Sequence, residues 1–217
     1  MAKSHPSAQP SPRERLRRVE GHHNTLVKEL RGAFTQAELT EQGDCAIEGL
    51  RMVEEAIRSG LRFRAVFFSE SAEGRAERLL PQIGAQVETI VLPDRLFASV
   101  VPSETPQGIA ALVRYRASSL EGLLARTEAG PLAVVAGLQD PGNLGTILRS
   151  AEAFGAAGVL LGEGSVSPFN PKVVRGSAGS LFRLPMVRAK LAETIPLLRA
   201  QGVRLVATSS HKGTPLP

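Results

Sequence analysis

The chain has 217 residues, 42% of them hydrophobic and 22% charged, enough for one large or two small cored domains of ordinary globular composition. Cys45 is the only cysteine, which excludes an internal disulfide, and no apolar run approaches the ~20 residues that span a bilayer. The formal charge is +5, and residues 1–31 carry seven cations (Lys3, Arg13, Arg15, Arg17, Arg18, Lys28, Arg31) against three carboxylates (Glu14, Glu20, Glu29), so four of the five excess charges sit at one end.

A basic arm of this kind attracts a polyphosphate backbone without reading sequence, although a solubilising tail has the same composition. With eight Phe, one Tyr and no Trp, stacking of bases on aromatic platforms is not the expected binding mode. The N-terminus lacks the apolar core of a secretory signal, so the expected location is the cytoplasm, with no membrane partner.

In chain order, residues 1–12 hold Pro6, Pro10 and Pro12 among Ser and Gln and read as disordered. A helix over about residues 14–31 is expected, with Gly21 as its weak point. His22 and His23 are adjacent and face different ways on a helix, and no Cys or carboxylate pair stands at ligand spacing, so no metal site is expected. Strands are expected at 45–49, 65–68, 87–92 and 109–113, and helices at 50–57, 71–80 and 96–100. Alternation of this kind implies an α/β layer domain. The turn Thr105-Pro106-Gln107-Gly108 precedes the fourth strand, and residues 118–129 form a polar connector or helix.

The run Pro131 to Leu138 is continuously apolar and reads as a buried parallel strand. Pro141-Gly142 turns the chain, Asn143 is expected as the N-cap, and Leu144, Ile147, Leu148, Ala151, Phe154 and Gly155 form one helical apolar face. Asn143, Thr146 and Arg149 lie off that face near the helix start, where a strand, a tight loop and a helix N-terminus offer a site for a polar or anionic ligand. Further strands are expected at 157–161 and 203–208, with helices from Asn170-Pro171 and over 191–200, where Pro196 is a blemish. The small residues Gly176, Ser177, Ala178 and Gly179 suggest close packing against a neighbouring element. Ser209 to Thr214 form a loop beyond the last strand, where ligands of open α/β sheets sit.

The pattern Asp140-Pro141-x-Asn143-x-Gly145-x-x-x-Arg149-x-Ala151-x-x-Phe154-Gly155 resembles the first signature of the SpoU (TrmH-like) family of RNA ribose 2′-O-methyltransferases, in the SPOUT superfamily. The resemblance extends to Asn24-x-x-Val27-Lys28-x-Leu30, to Ile47-Glu48-Gly49 with the helix after it, and to Thr105-Pro106-Gln107-Gly108-Ile109. It also covers Asn170-Pro171-Lys172-x-x-Arg175-x-Ser177-x-Gly179 and the Leu181 to Pro185 segment, for which it implies a strand.

What the resemblance implies is an α/β fold of two parts, a small N-terminal RNA-binding domain and a parallel-sheet SPOUT (α/β-knot) methyltransferase domain. Their expected limits are a basic flexible arm at 1–21, a substrate domain at 22–116, a linker at 117–130 and the methyltransferase domain at 131–217. The family continues into a Gly-x-Glu-Gly loop and a threaded Ser-Leu-Asn segment that complete the knot, the donor site and the dimer interface. Those motifs do not occur before Pro217, so the expectation is a C-terminally incomplete domain and a homodimer where that segment is present. The implied cofactor is S-adenosylmethionine, with Asn143 and Arg149 beside the ribose 2′-OH and Thr208 and Ser209 beside the donor. Gln107 and Gly108 are the implied RNA contacts of the first domain, Lys172 and Arg175 those of the second, and ribosomal RNA is favoured over transfer RNA.

Two nucleotide motifs fail on spacing. Gly137, Gly142 and Gly145 do not make Gly-x-Gly-x-x-Gly, and Gly142 is followed by Asn143 rather than the Lys of a P-loop. The rival reading is an RNA-binding module without catalysis, which shares the salt-sensitive binding but transfers no methyl group.

Overall fold

Strands β2 (Asp44–Glu48) and β5 (Ile109–Arg114) pair antiparallel and close one side of a five-stranded sheet in this computed structural model, which describes residues 15–126 and 129–208. The order is β1-β4-β3-β5-β2, with β1 (Leu16–Arg18), β4 (Glu88–Leu92) and β3 (Phe63–Ser69) mutually parallel. Successive side chains of a strand point to opposite faces, and both faces here are covered. Ala46, Ala65, Phe67, Ala110 and Leu112 pack under α1 (Thr25–Gln36) and α4 (Asp94–Val100). Cys45, Ile47, Val66, Phe68, Ile109, Ala111 and Val113 point the other way, toward α2 (Leu50–Arg58) and residues 76–83. That is why these strands read as unbroken apolar runs.

Two expectations for this part fail. Residues 16–18 are not helical but form β1, and the helix starts only at Thr25, where Asn24 accepts from the amides of Leu26 and Val27. An edge of β4 received the arm, and that pairing leaves no trace in local periodicity. The described end of the arm is therefore structured rather than flexible, and its cations are committed. Arg15 donates to the carbonyls of Leu80 and Gly84, Arg17 pairs with Glu88, and Arg18 pairs with Glu70 and Glu73. The charged helix expected at 71–80 is instead a 3-10 turn (Glu70–Arg75), one turn α3 (Ala76–Leu79) and a second 3-10 turn (Leu80–Gln82). Gly74 and Pro81 break it, since neither favours a helix interior.

The second sheet, in the order β6-β7-β8, is parallel: β6 (Leu132–Val135), β7 (Gly158–Gly162) and β8 (Met186–Ala189). One face meets α6 (Pro141–Ala153), α7 (Pro171–Gly176) and α8 (Ser180–Arg183), and the other meets α5 (Leu120–Leu124) and α9 (Leu191–Ala200). Leu123 of the expected connector is fully buried against Leu160 and Leu198, so that stretch is part of the second layer system. The main apolar core runs without a break from Cys45 and Met52 to Val173 and Leu181, and Tyr115 meets Phe169 edge-on at 4.9 Å. The two sheets therefore share one core.

Four further expectations are corrected here. β6 is half-buried, with Val134 40% exposed, because it is an edge strand of the described sheet and the α5–α9 layer that Leu132 meets covers that face only in part. Phe154 is 87% exposed, since α6 ends there and the chain turns at Gly155. Leu181 to Pro185 is not a strand; Leu181 and Phe182 are both buried in α8, and the ladder begins after Pro185, which has no amide to donate. Residues 203–208 pair with no described strand. Val203 and Leu205 pack inward while Val206 is 76% exposed, so the alternation is present without a strand ladder.

Candidate active site

Helix α6 starts at the carboxyl end of β6, and its cap is Asp140 rather than Asn143. The Asp140 carboxylate accepts from the Asn143 amide at 2.6 Å, and Pro141 takes the first helical position, where a missing N–H costs nothing. Asn143 is thereby moved into the first turn, with its side chain exposed. Thr146 bonds back to the Gly142 carbonyl at 3.0 Å, while Leu144, Gly145 and Leu148 are buried. Arg149 is exposed and has no hydrogen-bond or ion-pair partner among the described residues. Asn143 and Arg149 thus share one helix and one solvent-facing side, separated by about 9 Å of rise and roughly 120° of rotation.

The loops at the strand ends are bonded to each other. Val166 donates to the Leu138 carbonyl at 2.7 Å, Leu138 donates to Ser165 Oγ at 3.2 Å, and the Gln139 amide donates to the Gly164 carbonyl. Gly137 and Gly164 are exposed there, and nothing lies within 4 Å of where a Cβ on either would stand. Among the described residues, the mouth of the sheet presents open backbone at these two glycines.

Helix α7 begins with the Asn170 side chain accepting from the Lys172 amide at 2.9 Å, with Pro171 at its first position. Lys172 is exposed and free of ion pairs among the described residues. Arg175 is committed: it donates to Ser103 Oγ at 3.2 Å and lies 3.8 Å from Glu48, whose carboxylate also accepts from Ser103 at 2.8 Å. Burial pushes the Glu48 carboxyl above its usual range, against the hydrogen bond from Ser103 and the charge of Arg175. The close packing expected around Gly176 is present, because a Cβ on Gly145 would stand 2.9 Å from the Gly176 Cα.

Gln107 is exposed, and its side-chain oxygen accepts from the Leu50 amide at 3.2 Å, capping α2. Its carbonyl accepts from Arg75. Gly108 is buried at φ 75°, and a Cβ there would stand 2.5 Å from both Ser69 Oγ and Ala72 Cβ. The glycine here is required by the protein's own packing, whatever part the turn has in binding RNA. Thr208 is exposed at the end of the unpaired 203–208 segment, and Ser209 lies outside the described residues.

Two residues at the site were not expected from sequence. Arg183 of α8 holds the Glu152 carboxylate of α6 with two nitrogens, at 2.5 and 3.0 Å, and reaches Glu55 Oε2 and Ser59 Oγ of α2 at 3.1 Å each. The Arg183 hydrogen bonds hold Glu152 below the usual carboxylate range, and Glu152 raises Arg183 in turn. The Leu-Phe-Arg-x-Pro wording carries the signal for Arg183, but the strand it implies gives no hint of a pairing with Glu152 across 31 positions. Burial pushes the Cys45 thiol up to about 12, which removes it as a nucleophile. Among the described residues, no group of three or more His, Cys, Asp or Glu stands where it could hold a metal ion.

Residues 131–217 match the model of the SpoU rRNA Methylase family, and residues 24–111 match the MRM3-like substrate binding domain. The chain is 31% identical over 200 residues to the 23S rRNA (guanosine(2553)-2'-O)-methyltransferase RlmP of Bacillus subtilis, covering 92% of this chain and 76% of that protein. It is 33% identical over 168 residues to rRNA methyltransferase 3, mitochondrial, of Homo sapiens, covering 72% of this chain and 37% of the human protein. The AdoMet-bound rRNA methyltransferase from Sinorhizobium meliloti superposes with a TM-score of 0.70 at 25% identity, over 86% of this chain and 69% of that one. The geometry, both family models and these relatives agree, and the chain belongs to the SpoU rRNA methylase family.

Proposed function

We propose that this protein methylates a ribose 2′-OH in ribosomal RNA with S-adenosylmethionine as donor, using Asn143 and Arg149 at the substrate. The observation that carries this reading is a guanidinium with no described protein partner, on the helix that opens at the carboxyl mouth of the parallel sheet. Relatives named as rRNA 2'-O-methyltransferases and neighbours solved with AdoMet support the reaction and the donor.

The exposed, side-chain-free backbone at Gly137 and Gly164 fits a flat adenosyl group at the strand ends, with Thr208 and Ser209 as proposed further contacts. When bound, the donor supplies an electrophilic methyl on a sulfonium. A guanidinium offers donors and no acceptor, so Arg149 acts as no base; it holds an RNA phosphate and stabilises charge developing on the ribose oxygen. Its side chain leans back toward the helix start, which brings the guanidinium toward Asn143. Asn143 orients the hydroxyl with an amide that both donates and accepts. Lys172 and the free amide nitrogen of Gln107 are the proposed RNA contacts. Arg175, already held by Ser103 and Glu48, is better placed to seat one part on the other.

The proposed division keeps a substrate part to about residue 116, a connector at 117–130 and a transferase part from 131, with β1 added to the first. A cytoplasmic homodimer belongs to the same reading. No described helix is long and apolar enough to cross a membrane. Sedimentation reads the oligomer. The test of the chemistry is Arg149→Ala, expected to keep donor binding by calorimetry while losing roughly a hundredfold or more in tritiated-methyl transfer to ribosomal RNA. Near-normal turnover sinks the assignment, and RNA binding with no transfer by the parent protein favours a binding module.

A further inference from the structure

Arg149 and Glu152 stand one helical step apart on α6, on the same stripe of its surface. Left alone, two such side chains pair, and a fixed negative charge sits beside the place where phosphate and alkoxide must be held. That does not happen here. Both Glu152 oxygens are taken by Arg183, Oε1 by Nε at 2.5 Å and Oε2 by Nη2 at 3.0 Å. This is the two-pronged geometry in which a guanidinium binds a carboxylate best. The remaining nitrogen of Arg183 is fixed from the first sheet's side by Glu55 Oε2 and Ser59 Oγ, each at 3.1 Å.

We propose that Arg183 is a positioning residue that occupies both oxygens of Glu152 and so keeps the Arg149 guanidinium free for RNA. The inference rests on the reading of Arg149 given above. It also gives α2 a part in the reaction, because Glu55 and Ser59 set where Arg183 points. Arg183 touches neither substrate nor donor in this scheme; it acts through Glu152.

The experiment compares Arg183→Met, Glu152→Gln and the double variant by steady-state methyl transfer to ribosomal RNA, with thermal midpoints and arginine Nε–Hε NMR spectra. Arg183→Met is expected to lose roughly five- to tenfold in kcat, because it leaves a charged carboxylate about 6 Å from Arg149. Glu152→Gln is expected within about twofold of the parent, and the double variant is expected to recover most of the loss. In the spectra, the Arg149 resonance moves in Arg183→Met and returns in the double variant, a readout that needs neither donor nor turnover. If Arg183 merely joined three helices, removing Glu152 as well would not restore activity. A double variant as slow as Arg183→Met, or an Arg149 resonance that stays put, overturns the proposal. Should Arg183→Met fail to fold, Arg183→Lys leaves Glu152 less completely held and is read the same way. A fully active Arg149→Ala overturns the underlying reading instead, and an inactive one in which Arg183→Met adds no further loss supports both.

Discussion

Gly145 of α6 lies against Gly176 of α7 with no side chain between them, and a Cβ on Gly145 would stand 2.9 Å from the Gly176 Cα. This contact lets the two helices cross closely beside the first turn of α6, which carries Asn143. Gly145→Ala is expected to destabilise the fold by about 1–3 kcal/mol, because backbone rather than a flexible side-chain end must give way. Urea denaturation measures it, and methyl transfer is expected to fall with the displaced helix. An unchanged midpoint refutes the tight crossing.

Asp140 and not Asn143 caps α6, so the two have separable roles. Asp140→Ala is expected to cost about 1 kcal/mol of stability by orphaning the Asn143 amide. Asn143→Ala, which keeps the cap, is expected to leave the thermal midpoint nearly unchanged while reducing turnover. Paired melting curves and transfer assays distinguish them.

The Gln107-Gly108 turn is expected to be needed for the fold before it is needed for RNA. Gly108→Ala places a side chain at φ 75° and into Ser69 and Ala72, and a loss of about 2 kcal/mol or more is expected. Gln107→Ala uncaps the Leu50 amide at a smaller cost, about 1 kcal/mol. Its effect on RNA affinity, from filter binding across a salt series, reports whether the amide nitrogen meets RNA as proposed.

Glu48 and Glu152 are expected to respond to pH in opposite senses. Burial raises Glu48 from 4.5, so the folded state takes up a proton in that window. Its contribution to stability falls as pH rises from about 4.5 through the raised value. Glu48→Gln is therefore expected to raise the thermal midpoint relative to the parent at neutral pH, with the gain shrinking on acidification. Arg183 lowers Glu152 from 4.5, so its stabilisation is present above that value and is lost as pH falls through the lowered one. Glu152→Gln is expected to lower the midpoint at neutral pH and not in acid. Thermal melts from pH 3 to 8 give both signs.

Much of the architecture was legible because it is written in local periods. Unbroken apolar strands announced sheets covered on both faces, Asn170-Pro171 announced a helix start, and the glycines around 176 announced a close crossing. The misreadings have a common cause. β1 formed because an edge of β4, more than 70 residues away in sequence, lay open to it, while residues 203–208 pair with no described strand although their apolar alternation is that of one; pairing depends on partners far along the chain.

The same division runs through the site. By its own wording, the sequence determined that an amide in the first turn and a guanidinium further along stand on one helix after a parallel strand, since caps and helical spacing act within a few residues. Which cations remain free was decided only by the tertiary structure. Arg183 met Glu152 across 31 positions and Glu55 across 128, and Arg175 met Ser103 across 72, whereas Arg149 met none among the described residues. A charged side chain takes the nearest partner in space, and spatial neighbours are set by how the two sheets pack on their shared core.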